Sequence, residues 1–201
     1  MSSEYLSLEN NLVPPAAAIS GDNLLEKVAV DVYRIGSMLL GEGEEAIELA
    51  EQTVATTDVV SSDPCEIQHL SRISVAAGAL DLLQHRTPEW LVPPPADSGP
   101  SSCIEDDELD AAGVSHAELE EMLSGSDAHR LREWLEELNP QLRVIFVLRA
   151  VAALSSVEVA VLLAEHGGPI AQDWTPDMVR GSFRQALCSL ASQLLHASNT
   201  R

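Results

Sequence analysis

Aromatic residues are scarce in this 201-residue chain, at 3%, and basic residues are few, eleven against thirty-two acids. So few rings argue against a platform on which single-stranded bases stack. A net charge of −21 at pH 7 argues against free-standing, non-specific nucleic-acid binding, which needs a positive field to displace counterions from phosphate. A chain this acidic instead meets a basic protein surface, or hides its few basic residues inside an assembly. Its three cysteines, Cys65, Cys103 and Cys188, stand far apart with no CxxC pair, so the count and spacing fit neither a disulfide framework nor a zinc site. The histidines, His69, His85, His116, His129, His166 and His196, fall into no ligand-type spacing, and no metal or other cofactor is expected. No apolar run reaches the roughly 20 residues of a membrane span, and no basic-then-apolar leader opens the sequence. These absences predict a cytoplasmic protein without a membrane partner.

What is present is helical patterning with unevenly distributed charge. Residues 1–95 hold fifteen acids and four bases, 96–130 ten acids and one base, and 131–201 seven acids and six bases. The middle part opens on Pro93-Pro94-Pro95, continues through serine and glycine, and reaches Glu105-Asp106-Asp107-Glu108 and Asp110. Proline, serine and like charge bury too little surface to offset the entropy of ordering, which predicts a flexible acidic linker. A second reading of the acidic cluster is that it mimics DNA charge and occupies basic surfaces, its own or a partner's. Around it, Leu109, Leu119 and Leu123 could anchor a short helix in a groove.

Apolar spacing is helical nearly everywhere and strand-like nowhere. Asp22 or Asn23 is a candidate cap for a helix to about Leu40, with Val28, Val32, Ile35 and Leu39 on one stripe. Gly41 and Gly43 break it. A second helix begins near Glu44, its first acids at the positive end of the dipole. A third starts at Asp63-Pro64, with Ile67, Leu70, Ile73, Ala77, Leu80 and Leu83 at helical spacing. Ser115 and Glu118 have capping-box spacing for a short helix to Leu123. Further helices are predicted over 127–138, 140–153, 155–165 and 176–196, with Pro140 and Pro176 in first turns and Ser155 and Glu158 as a second capping box. The fold class is therefore all-α, two small helical domains on an acidic tether. The boundaries are an N-terminal tail over 1–22, a three-helix bundle over 23–91, a linker over 92–126 and a second helical domain over 127–201.

Three stretches of the C-terminal part carry a family pattern. Leu135-Glu136-Glu137-Leu138-Asn139-Pro140, followed by Arg143-Val144-Ile145-Phe146-Val147-Leu148-Arg149, resembles the opening of the fourth conserved region of bacterial sigma factors. The likeness is to the extracytoplasmic-function group of the sigma-70 family. Leu154-Ser155-Ser156-Val157-Glu158-Val159-Ala160 resembles that region's next helix, and Met178-Val179-Arg180-Gly181-Ser182-Phe183-Arg184-Gln185-Ala186-Leu187 its recognition helix. Tyr33-Arg34-Ile35, Leu39-Leu40-Gly41 and Glu44 to Leu49 resemble the second region's polymerase-binding helices. Leu70 to Ile73 and Ala79 to Arg86 resemble the helix that grips the −10 promoter element. The resemblance covers residues 27–86 and 131–196.

The resemblance implies a sigma-factor-like transcription initiation protein, not an enzyme. It would bind core RNA polymerase through Glu44, Glu45, Glu48 and Glu51, and promoter DNA through Arg180, Ser182, Arg184 and Arg86. In a helix-turn-helix the first helix braces the second, whose first turn enters the major groove. The brace expected here is Val157, Ala160, Val161 and Ala164 against Val179, Phe183 and Leu187. A reading of a different class stays open: a degenerate sigma mimic that binds polymerase or an anti-sigma factor without reading DNA. Favouring it are the long connection from Glu165 to Thr175, Asp173 and Asp177 beside the recognition helix, and Gln84 and His85 where the family places arginines. The two readings differ in the surface charge of the helix over 176–190. No nucleophile–base spacing, phosphate loop or metal motif supports catalysis.

Overall fold

The computed structural model describes residues 21–58, 63–88, 90–94, 103–104, 106–125 and 128–199. Most of the expected tail and the Pro/Ser-rich start of the expected linker lie outside these residues. Among the described residues there is no strand, and the fold is all-α.

The first helix, α1 (Gly21–Leu40), buries Leu24, Val28, Val32, Ile35 and Leu39, a stripe made by steps of four, four, three and four. It begins at Gly21, so neither Asp22 nor Asn23 precedes it as a cap. It stops at Gly41, whose φ of +93° suits a residue without a Cβ and whose N–H donates to the Ser37 carbonyl at 2.9 Å. The second, α2 (Glu44–Thr56), buries Ala46, Leu49, Ala50 and Thr53, and the Thr53 hydroxyl donates to the Leu49 carbonyl at 2.8 Å. The third, α3 (Pro64–Arg86), is capped by the Asp63 carboxylate, which accepts from the Cys65 N–H at 2.8 Å.

The buried face of α3 is Ile67, Ser71, Val75, Ala76, Ala79 and Leu80, while Leu70 is exposed. Ser71, Ala76 and Ala79 share this face with Ile67, Val75 and Leu80, and the three helices press close. A Cβ on Gly78 would fall 2.5 Å from Leu49 Cδ1. Arg72 then ties α3 to α1 through Asp31 at 2.7 Å.

The remaining helices are α4 (His116–Ser124), α5 (Ala128–Glu137), α6 (Pro140–Phe146), α7 (Ser156–His166) and α8 (Pro176–Asn199). A five-residue π turn, Val147–Val151, continues α6, and Ala153 follows it with φ of +54°. Both expected capping boxes form: the Ser115 and Ser155 hydroxyls accept from the amides of Glu118 and Glu158, whose carboxylates accept in return. The few aromatics gather at the centre of this half. Trp134 meets Phe146 edge-on at 4.9 Å, Phe183 lies 6.1 Å beyond, and Trp134 Nε1 donates to Ser189 Oγ at 3.0 Å.

Two expectations need correction. The described part of 92–126 is not a solvated tether: Ile104, Leu109, Ala112, Val114, Leu119 and Leu123 are buried. Its apolar residues, sparse among the acids, are enough to seat a 3₁₀ turn, Leu109–Ala112, against α8 and α4 against α5. Arg149 holds it further, donating to the Asp107 carbonyl at 3.2 Å with the Asp107 carboxylate 3.5 Å away. Second, Cys103 and Cys188 form a disulfide, with Cα atoms 5.7 Å apart, while Cys65 is an exposed free thiol. The bridge spans 85 residues and leaves no local spacing in the sequence to read.

The two halves share one apolar core. Leu91 is fully buried between them, and its carbonyl accepts from Trp174 Nε1 at 2.9 Å. Gln141 Nε2 donates to the carbonyls of Trp90 and Val92, each at 3.0 Å. α3 lies along α7, bridged at one point by His69 Nε2 and Glu158 Oε1 at 2.8 Å and at another by His166 Nδ1 and Asp81 Oδ1 at 3.0 Å. Gly167 makes the junction possible, because a Cβ there would lie 2.7 Å from Ala171 Cβ and 3.0 Å from Leu91 Cδ1.

Candidate functional site

Ser155 fixes where α7 begins, and with it which side chains face inward. Val159, Ala160, Leu162 and Leu163 are buried, whereas Val157 and Val161 are exposed. Of the expected brace, Ala160 therefore holds its place and the two valines do not. The apolar sequence of α7 lets it bury two flanks, one against α8 and the other against α3. On α8, Val179, Phe183 and Leu187 are buried as expected. Between the helices lie nine residues, 167–175, with a 3₁₀ turn at Pro169–Asp173, rather than the roughly 3–4 of a DNA-reading turn.

Arg180 and Arg184 share one side of α8, but neither projects into open solvent as a free cation. Arg180 pairs with Asp177 one turn earlier, and Arg184 is half-buried. Ser182 is buried. An aspartate in the first turn of α8 complements the helix dipole and also neutralises the arginine beside it. Between 176 and 190 the helix carries Asp177, Arg180 and Arg184 as its formal charges, so its exposed face is close to neutral. Arg149 is committed to the fold, donating to the Leu154 carbonyl at 2.8 Å and lying 5.1 Å over the Phe183 ring.

The two expected surfaces of the N-terminal half meet each other. Arg86, at the end of α3, forms an ion pair with Glu45 of α2 and donates to the Leu40 carbonyl at 3.2 Å. Gln84 lies against Gly168, whose φ of +84° and lack of a Cβ leave room for it. Gln84 is thus packed against the C-terminal half, while His85 and Arg86 at the end of α3 stay exposed. Glu44, Glu48 and Glu51 remain exposed on one side of α2, with Ile47 exposed beside them. This face combines acids with an apolar side chain, a pattern suited to a basic protein surface.

Other basic side chains are engaged across the halves. Arg34 of α1 donates to both carboxylate oxygens of Glu120 on α4, at 2.8 and 3.0 Å, and Arg132 of α5 pairs with Glu42. The acidic middle segment therefore does occupy basic side chains of its own chain, at Arg34 and Arg149. Two carboxyls are held below the ordinary glutamate range. For Glu118 the cause is first the Ser115 amide and then its hydroxyl. For Glu158 it is first the Ser155 hydroxyl, against an opposing effect of burial, with help from the Ser155 amide and His69.

Sequence reasoning passes over Arg143 and Trp90. Both line a cavity between α1, α3 and α6; Trp90 belongs to no motif, and Arg143 enters only within the stretch that resembles the fourth sigma region, without a site role. No protein-family model, curated protein or solved structure matches the chain.

Proposed function

We propose that the chain is a sigma-factor-like regulatory protein that acts through protein surfaces and does not read bases itself. Its partner is core RNA polymerase, or an anti-sigma factor that covers the same surface, and the contact face is Glu44, Ile47, Glu48 and Glu51 on α2. The reading is of a non-enzymatic, cytoplasmic protein without a cofactor. One observation carries it: the side chains expected to touch DNA are engaged within the fold. Arg180 is neutralised by Asp177, Arg86 by Glu45, and Ser182 is covered. Sequence readout needs donors free to reach base edges, and a near-neutral helix on a chain of charge −21 has little to offer a phosphate backbone.

Promoter recognition within a holoenzyme is the second reading. It is favoured by the charge of residues 131–201, seven acids against six bases, far less acidic than the rest. There the polymerase would supply most phosphate contacts. Titration of labelled protein into purified core polymerase, with and without promoter DNA, separates the two. Binding without sequence-dependent recruitment is expected; sequence-dependent recruitment would establish the second reading, and no binding would move the partner to an anti-sigma factor. A reducing cytosol keeps most thiols apart. Rapid alkylation of Cys103 and Cys188 in intact cells therefore tests the cytoplasmic assignment.

A further inference from the structure

The bridge between Cys103 and Cys188 fastens a segment that other contacts already seat. Ile104 and Leu109 are buried on either side of the acids, the 3₁₀ turn rests on α8, and Asp107 meets Arg149. Packing thus sets the two cysteines opposite each other, with Cα atoms 5.7 Å apart, inside the usual range of about 4.4–6.8 Å. The seat beneath is not filled. A cavity of about 130 Å³ lies between Asp107, Leu109, Arg149 and Phe183. Cys103 is exposed and Cys188 half-buried, so a small reagent reaches the bond from the Cys103 side.

Exposed bridges are the readily reduced, regulatory ones, whereas bridges that only staple a fold resist reduction. In a reducing cytosol a lasting bridge is uncommon, and a transient one reports oxidant. For its setting the inference rests on the cytoplasmic reading above; its chemistry does not. Asp106, Asp107 and Glu108 follow Cys103 closely and repel an anionic oxidant such as glutathione disulfide, while a neutral peroxide approaches freely.

We propose that Cys103 and Cys188 are a reversible oxidation site for a neutral peroxide, closed to clasp the acidic segment onto α8 and open to let Asp106, Asp107 and Glu108 lift away. The exposed Cys103 thiolate attacks one peroxide oxygen. The O–O bond breaks, leaving a sulfenic acid and a hydroxide that takes up a proton to become water. The Cys188 thiolate then attacks the Cys103 sulfur, the S–O bond breaks, and a second hydroxide leaves to become water as the bridge forms. Two thiols are oxidised and one peroxide is reduced to two waters. A dithiol reverses the closure, becoming the disulfide itself and returning both thiols. When the segment lifts, Arg149 loses its Asp107 partner and its charge is uncovered beside Phe183. The oxidation state thereby sets the charge along this side of α8.

The full chain is reduced with dithiothreitol, freed of it and treated with hydrogen peroxide, while mass spectrometry and amide hydrogen exchange follow the products. The expected product is an intramolecular bridge between Cys103 and Cys188, opened again by dithiothreitol in native buffer. Opening should speed exchange over 104–112 by about tenfold or more and leave α1 to α3 within about twofold. In Cys188→Ser, dimedone should trap a sulfenic acid at Cys103; in Cys103→Ser, trapping at Cys188 should be at least about tenfold lower. Cys65→Ser should change none of this. Should a serine variant fail to fold, the parent's reversibility and exchange still decide. The proposal is overturned by a bridge that dithiothreitol opens only after unfolding, by exchange unchanged over 104–112, by exchange quickened equally in α1 to α3, or by trapping mainly at Cys188. Neither polymerase nor a cell enters these measurements, so their outcome is separate from that of the partner and the compartment proposed above.

Discussion

Arg86 and Glu45 form an ion pair that joins the end of α3 to the start of α2. One was expected to meet promoter DNA and the other RNA polymerase, so a single contact withdraws a residue from each surface. The pair is about half exposed on both sides, 42% and 50%, and pairs of this kind contribute little stability. What it changes is which groups remain available. Glu44, Glu48 and Glu51 keep their charge facing outward.

Replacing those three with lysine should weaken binding to core polymerase by about tenfold or more, since like charge across a docking face slows encounter and costs affinity. Glu45→Gln should leave the affinity within about twofold, because Glu45 is already turned toward Arg86. Binding curves of both variants against the same polymerase provide the check. If the triple variant bound as tightly as the parent, the contact face would lie elsewhere.

Arg180→Ala combined with Arg184→Ala should leave polymerase binding within about twofold and alter no sequence preference for DNA. The Arg180–Asp177 pair is exposed and adds at most about 1 kcal/mol to stability. Fluorescence anisotropy with promoter and scrambled duplexes measures the DNA side. A preference present in the parent and lost in the variant would assign base reading to α8 after all.

At Ser155→Ala, α7 loses its N-cap, which should cost about 1 kcal/mol near neutral pH. The same change removes the principal group holding the Glu158 carboxyl low. A carboxyl depressed in the fold adds stability that is complete above the unfolded value of 4.5 and lost as pH falls through the folded one. The gap in melting temperature between parent and variant should therefore narrow below pH 4.5. A gap constant from pH 7 to pH 3 would disprove the coupling.

Ala153 sits at φ of +54°, a conformation that glycine enters without the Cβ penalty. Ala153→Gly should stabilise the protein by about 0.5–1 kcal/mol, since strain relieved in the fold exceeds the entropy added to the unfolded chain. Urea unfolding with an unchanged slope and a higher midpoint would show it. A lower midpoint would mean that the alanine methyl is needed where it is.

Local code accounts for what was readable in advance. The stripe from Val28 to Leu39, the stop at Gly41, the proline starts at 64, 140 and 176, and the serine caps at 115 and 155 each depend on residues within a turn or two. Whatever depends on distant neighbours was not readable. Leu70 shares the helical spacing of its neighbours yet points outward, because α3 offers its small residues to α1 and α2. Val157 and Val161 lost their expected place to Val159 and Leu163 when α7 acquired a second packing partner in α3. Arg86 shows the same limit at the candidate site: its pairing with Glu45 joins helices that become neighbours only in the fold.

The bridge from Cys103 to Cys188 makes the middle of the chain a covalent ring, with α1 to α3 on one tail and the end of α8 on the other. Closing 85 residues removes about 4–5 kcal/mol of unfolded-chain entropy in a loop-closure description. A pull applied at the two ends cannot straighten that ring. On the order of 290 Å of contour, at roughly 3.4 Å per residue, stays hidden until the sulfurs part. While the bridge holds, the N-terminal helices can peel away under load with the acidic segment still looped onto α8, so the oxidation state sets how far the molecule can be drawn out.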